Sequence, residues 1–358
     1  MKTIKTLGLA LVLLLLTACS AEKEVSGEVV EVLIDETTHV ETYVVQTGED
    51  GEVGIIMGGS SYLIPWMDEF DEEAFRTGTQ AGVIVSASCE RAKKTVTTST
   101  GKEIPAYQAG RVSVSGILHR NAMQLSDGTP VDVLKDSTFG RVHYRLSDGM
   151  ELLMVNGVSG PDNVYVVGLE SFDNLSEPAK EKVLAFYEEQ GLLYNLEYEL
   201  ERAYAAYLEC DGERFDSHMT GQDTSPSGST DRVMYFRTIV TRPIDGKHIY
   251  EENLGAAFDR ETGEHINNLD LFTCPKAEIL TKLLDIAGVT DSILRKEMEA
   301  AFRPEDLIFS EGSLEIQFAQ GTLPSQEHSY FVALDYDERL CALLHDWAVP
   351  KAAVQEEP

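Results

Sequence analysis

Five short segments rich in β-branched and alternating apolar residues fill the first third of the chain: GEVVEVLI (27–34), ETYVVQT (41–47), EVGIIMG (52–58), AGVIVSAS (81–88) and GRVSVSGI (110–117). β-Branched side chains fit a pleated, half-buried surface, so segments of this kind, bounded by turn residues, form strands. Glu49-Asp50-Gly51 supplies a hairpin turn between the second and third strands. MDEFDEEAFR (67–76) adds one or two helical turns between the third and fourth.

Five strands with an insertion after the third predict an N-terminal small β-barrel, OB-like (oligonucleotide/oligosaccharide-binding) in strand order, or a β-sandwich. Two Leu-Ser-Asp-Gly phrases follow, QLSDGTPVDV (124–133) and RLSDGMELLMV (145–155), each a turn leading into an extended apolar segment. They read as consecutive hairpins rather than calcium loops, which need several spaced oxygen ligands. These residues make one β-rich domain, 27–170.

Residues 171–350 predict an α+β domain of antiparallel sheet plus helices. Ser176-Glu177-Pro178 is a helix start and Gly191 its stop; a second helix, 192–209, places Leu193, Leu196, Leu200, Ala203, Tyr204 and Tyr207 on one face. DSHMTGQDTSPSGSTD (216–231) is polar and reads as an exposed loop. Strands are expected at 233–244, 248–259, 313–319 and 329–336, with a helical segment over 276–302. The whole chain is therefore α+β.

The chain has 358 residues, 61 of them Asp or Glu against 29 Lys or Arg, for a formal net charge of −32. At 43% hydrophobic residues the composition is that of a folded protein, and the length suits about two domains. Affinity for phosphate backbones comes from clustered Lys and Arg, so nucleic acid is excluded as a partner.

Residues 1–19, MKTIKTLGLALVLLLLTAC, carry Lys2 and Lys5, an apolar run from Leu7 to Leu16 and small residues before Cys19, the pattern of a secretory signal peptide. The apolar run is about half of the roughly 20 residues a spanning helix needs, and no later uncharged stretch approaches that length. Leu16-Thr17-Ala18-Cys19 resembles the lipobox of bacterial lipoproteins. That resemblance implies cleavage after residue 18 and a diacylglyceryl thioether on Cys19, with acyl chains such as palmitate. The expected layout is a leader at 1–18, lipidated Cys19 with a short tether at 19–26, and a polar tail at 351–358. Two acyl chains suffice for stable anchoring, so the expected location is extracytoplasmic, tethered to the cell membrane. Both leader lysines leave on cleavage, so the acidity belongs to the exported part, where it holds the body off anionic headgroups or attracts cationic ligands.

Four cysteines remain beyond Cys19: Cys89, Cys210, Cys274 and Cys341. Export permits disulfides, and Cys210, Cys274 and Cys341 share the C-terminal half, so they are the candidate members of a bridge whose pairing the spacing leaves open. The other reading is buried free thiols acting as small hydrophobes. No pair has C-x-x-C spacing.

AAFDRETGEHINNLDLF (256–272) resembles a phrase in the C-terminal domains of RsiV-type, lysozyme-sensing anti-sigma factors and of some cell-wall deacetylases, a domain family of unknown function. FRPEDLIFSEGSLEIQF (302–318) and the strand SYFVALDY (329–336) follow in the same order, so the resemblance covers about 190–350. It implies an exported, non-catalytic, ligand-binding module, with a cationic protein such as lysozyme or a cell-wall component as partner. Here a lipobox stands in place of the anti-sigma members' transmembrane helix and cytoplasmic segment.

Motifs for catalysis are missing: H-E-x-x-H, G-x-S-x-G, G-x-G-x-x-G and G-x-x-x-x-G-K-[ST] do not occur. Ser99-Thr100-Gly101-Lys102 has bare S-x-x-K spacing but reads as a turn between strands. The eight histidines are scattered, with no i, i+2 or i, i+4 pair, so the sequence predicts neither a metal nor a cofactor. Trp66 with Tyr62 in YLIPW reads as a core tryptophan or an aromatic patch of the kind that stacks on sugars. The expected function is lipid-anchored binding or sensing at the cell envelope. The alternatives are an envelope hydrolase whose active residues converge from scattered positions, and a structural or assembly lipoprotein.

Overall fold

A computed structural model describes residues 22–48, 50–65, 67–137, 140–157, 164–210, 214–244 and 248–350. These fall into two compact units, one of 22–124 with 130–137 and one of 125–129 with 140–350. The segment expected as a leader, Cys19, Trp66 and the expected tail at 351–358 lie outside the described residues. None of the described helices is long and apolar enough to cross a membrane. The chain is mixed α and β, mostly sheet with few helices.

The N-terminal unit contains β1 (Lys23–Ile34), β2 (Glu41–Thr47), β3 (Gly51–Pro65), α1 (Glu72–Arg76), β4 (Val83–Thr97), β5 (Glu103–Gln124) and β6 (Pro130–Asp136). β1 pairs antiparallel with both β2 and β4, β2 with β3, and β4 with β5, while β3 runs parallel to β5. The five strands thus close a ring in the order β1-β2-β3-β5-β4, and β6 adds antiparallel to β5. Inward-facing residues form its core, among them Val45, Val53, Ile55, Val85, Val112 and Val114. α1 begins where Asp71 Oδ1 accepts the Ala74 amide at 2.9 Å, and it inserts Phe75 edge-on against Tyr43, with ring centroids 5.2 Å apart. Burying that phenyl ring contributes about 2–3 kcal/mol. β3, β4 and β5 run well past the apolar segments that announced them, because register shifts let polar stretches continue the pairing.

In the C-terminal unit, β7 (Val142–Leu146) and β8 (Glu151–Val155) form the second Leu-Ser-Asp-Gly hairpin, so this unit starts ahead of residue 171. In both such turns the aspartate caps the backbone: Asp127 accepts the Thr129 amide at 2.8 Å and Asp148 the Met150 amide at 2.9 Å. The unit continues with α2 (Glu177–Gln190), α3 (Leu196–Glu209), β9 (His218–Ser229), β10 (Val233–Pro243), β11 (Ile249–Asp259), β12 (His265–Ile266), α4 (Lys276–Ile286), α5 (Ser292–Ala301), β13 (Leu307–Phe309), β14 (Ser313–Phe318), β15 (Tyr330–Asp335) and α6 (Glu338–Cys341). Its main sheet has the order β12-β11-β10-β9-β8-β7, with β8 and β9 parallel, and a second antiparallel sheet has the order β13-β14-β15. Alternation along β10 sets the layers. Val233 and Tyr235 pack with α4, α5 and the second sheet, while Met234 and Phe236 pack with α2 and Phe172.

Two expectations are corrected here. The polar segment 216–231 is not an exposed loop: it contains β9, which sits between β8 and β10 with Thr220, Gln222 and Thr224 fully buried. These side chains are tolerated inside because they are hydrogen-bonded: Thr220 Oγ1 to the Thr241 carbonyl at 2.9 Å, Thr224 to Thr238 at 3.0 Å, and the Leu193 amide to Gln222 Oε1 at 2.8 Å. Pro226, lacking a donor, falls at a bulge opposite Phe236. The single helical segment over 276–302 is two helices, because Asp291 caps a fresh start by accepting the Ile293 and Leu294 amides at 2.8 and 3.1 Å.

The β7–β8 hairpin carries a pH-dependent contact. His143 Nδ1 lies 2.8 Å from Glu151 Oε2, and Arg145 Nη2 lies 3.2 Å from the same oxygen. The His143 hydrogen bond, with both positive charges, holds the Glu151 carboxyl below its usual range against the opposing effect of burial. A depressed carboxyl adds stability above its unfolded pKa of about 4.3, and that stability is lost as pH falls through the lower folded value. Glu151→Gln is therefore expected to cost about 1–2 kcal/mol in urea unfolding at pH 7. The difference from wild type should shrink as pH falls below the unfolded value and through the lowered folded one.

Candidate functional site

A recess of the C-terminal unit has a volume of about 640 Å³, within the roughly 300–1,000 Å³ of small-ligand pockets. One wall is the last two turns of α3, from Arg202 to Cys210; a second is the segment Arg214–His218 entering β9; Ile244 and His248 supply the third. α3 starts at Asn195, whose Oδ1 accepts the Tyr198 amide at 3.0 Å, and it buries Leu200 and Ala203, which turns Arg202, Ala206 and Glu209 toward the recess.

Arg202 holds the walls together. Its Nη1 lies 3.1 Å from Glu199 Oε2, and its Nη2 donates to the carbonyls of Pro243 and Ile244 at 2.8 and 3.0 Å, tying α3 to the end of β10. Burial pushes the Glu199 carboxyl up, and the nearby Arg202 and Arg242 charges draw it back. A file of aromatic rings leads from α3 to the recess, where its last two members, Phe215 and His218, form part of the lining: Tyr204 to Tyr207 at 6.3 Å, Tyr207 to Phe215 at 5.7 Å and Phe215 to His218 at 5.9 Å between centroids. The lining is thus amphiphilic. Ala205, Ala206 and Ile244 offer apolar surface beside Glu209, Arg214 and Asp216, an arrangement suited to holding a side chain or small ligand with an apolar body and a charged end.

Of the residues singled out from sequence, Cys210 lines this recess, with its thiol donating to the Tyr207 carbonyl at 3.4 Å. Cys274 packs against the C-terminal core, and Cys341 donates to the Tyr336 carbonyl at 3.5 Å. No disulfide joins these three: each is a free thiol, as is buried Cys89, whose pKa burial pushes up to about 11. No group of three or more His, Cys, Asp or Glu among the described residues is arranged to hold a metal ion. Sequence reading missed Arg202, His218 and His248, because only the juxtaposition of α3, β9 and β10 brings them together.

The phrase 256–272 builds fold rather than recess. Asp259 Oδ1 accepts the Glu261 and Thr262 amides at 3.1 and 2.9 Å and the Thr262 hydroxyl at 3.0 Å, which shapes the β11–β12 turn. Gly263 sits there at φ 73°, where a Cβ would come within 2.3 Å of the Ala179 carbonyl oxygen. Leu271 and Phe272 enter the core.

No family model matches this sequence, and no curated protein matches it. Among solved structures the chain is similar to a DUF3298 family protein from Pseudomonas aeruginosa PAO1, with 12% identity, 66% of this chain and 94% of that one covered, and a TM-score of 0.32. It is also similar to a member of the DUF3298 family from Bacteroides fragilis NCTC 9343, with 12% identity, 65% and 93% covered, and a TM-score of 0.34.

Proposed function

We propose that this chain is a lipid-anchored, extracytoplasmic protein of the bacterial cell envelope that binds or senses a cationic protein, such as lysozyme, or a cell-wall component, without catalysis. The observation that carries the reading is the excess of 61 acidic over 29 basic side chains, borne by the part of the chain beyond a leader that ends in a lipobox at Cys19. Such a charge attracts cationic partners over a distance set by the Debye length, about 8–10 Å at physiological salt. The resemblance of 256–272 to the lysozyme-sensing domains supports the choice of partner, and the recess beside α3 gives that partner a place to seat a side chain. For the N-terminal unit we read an OB-like fold, supported by its closed strand order, the parallel β3–β5 pair and the helix between β3 and β4.

Retention on the immobilised exported body, from Ser20 onward, tests the function. Lysozyme should be held at low salt and released as salt rises, whereas equal retention of an acidic control protein would defeat the reading. Insoluble peptidoglycan offered in parallel separates the wall-component arm.

A further inference from the structure

The N-terminal unit has a cleft of its own, about 360 Å³, between β2, β3 and α1. It owes its shape to an irregularity in β3. Between Met57, opposite Ala109, and Tyr62, opposite Arg111, four residues of β3 stand against one of β5. Ser61 fixes this bulge: its Oγ accepts the Gly58 amide at 2.7 Å and donates to the Ala109 carbonyl at 2.7 Å. Gly58 and Gly59 consequently line the cleft with bare backbone, and Tyr62 lines it while 55% exposed.

The polar side of the cleft is fixed. Glu41 Oε2 accepts the Tyr43 hydroxyl at 2.8 Å, and Arg76 Nε lies 3.1 Å from Glu41 Oε1. Arg76 Nη2 lies 2.9 Å from Glu72 Oε1. The lining therefore combines an exposed aromatic face, a carboxylate–guanidinium pair anchored by a buried phenol, and the glycine backbone of the bulge. Two carboxylates against one guanidinium disfavour a phosphate or other anion, and Arg76 standing between them disfavours a bare cation. A wholly apolar ligand would desolvate the Glu41–Arg76 pair without replacing its water. The chemistry that fits is a ring with an apolar face and edge hydroxyls, each both donor and acceptor.

We propose that this cleft binds one ring of a neutral saccharide, stacked on Tyr62 and hydrogen-bonded by the Glu41–Arg76 pair. The inference rests on the N-terminal unit alone and goes beyond the cationic-partner reading, so either can fail without the other. The test is calorimetric titration of the full chain, in a zwitterionic detergent, with neutral trisaccharides (chitotriose, cellotriose, maltotriose) and with an anionic sialyl trisaccharide. At least one neutral sugar should bind saturably, the anionic one more weakly. Tyr62→Ala should weaken binding about tenfold or more and Glu41→Gln severalfold, while the thermal transition of Tyr62→Ala stays at the wild-type temperature. No saturable heat from any neutral trisaccharide up to about 10 mM, preference for the anionic sugar, or binding unmoved by Tyr62→Ala would overturn the proposal.

Discussion

Gly255→Ala should lower the melting temperature of the C-terminal unit by about 6–12 °C, the equivalent of roughly 3 kcal/mol in a unit of this size. Strand β11 passes β13 backbone to backbone at this point. A Cβ on residue 255 would lie 2.0 Å from the Leu307 carbonyl oxygen, 2.9 Å from its carbon and 3.1 Å from Ile308 Cα. Backbone atoms cannot rotate aside as a side chain can, so the two sheets must separate locally, and Leu307 and Ile308, both fully buried, lose their packing. Gly312→Ala is the matched control, since a Cβ there meets nothing within 4 Å. Circular dichroism melts of the two variants against wild type make the comparison, and a Gly255→Ala melt as mild as the control would show that β11 and β13 do not approach so closely.

Asn268→Ala is expected to cost about 3 kcal/mol by loss of a single amide group. Asn268 is buried, and the two N–H groups of its Nδ2 are shared among three carbonyl oxygens: Gly255 at 3.1 Å, Pro304 at 3.0 Å and Leu307 at 3.1 Å. The three acceptors fix the orientation of the amide, because a flip would point Oδ1 at all of them. Alanine removes a donor from these carbonyls, of which Pro304 keeps the Leu307 amide, and opens a cavity besides. Asn268→Asp is expected to be worse at neutral pH, since a carboxylate would face three carbonyl oxygens. Urea unfolding midpoints check the order wild type, then alanine, then aspartate; an aspartate variant as stable as wild type would contradict the assigned network.

Much of this was legible in the sequence, and the rest failed for identifiable reasons. The strand segments, both Leu-Ser-Asp-Gly hairpins and the Ser176 to Gly191 helix follow from periodicity, turn chemistry and caps, all local signals. β9 was illegible because its stability comes from hydrogen bonds made by Thr220, Gln222 and Thr224 to distant residues rather than from apolar burial. The recess was illegible for a related reason. Arg202, Cys210, His218 and His248 have no motif spacing, and α3 must be pinned to β10 before they share a surface. The phrase 256–272 was visible as a motif, yet its Asp259, Gly263 and Asn268 serve the turn and the sheet junction. It therefore marks a way of folding more directly than a binding surface.

The measurement that tests the central claim most directly is the dissociation constant of lysozyme for the chain from Ser20 onward across a series of salt concentrations. Charge-led recognition predicts tight binding at low ionic strength that weakens steadily as the Debye length shrinks, with association slowing more than dissociation quickens. No measurable binding at the lowest salt, or an affinity that salt leaves unchanged, would contradict the account.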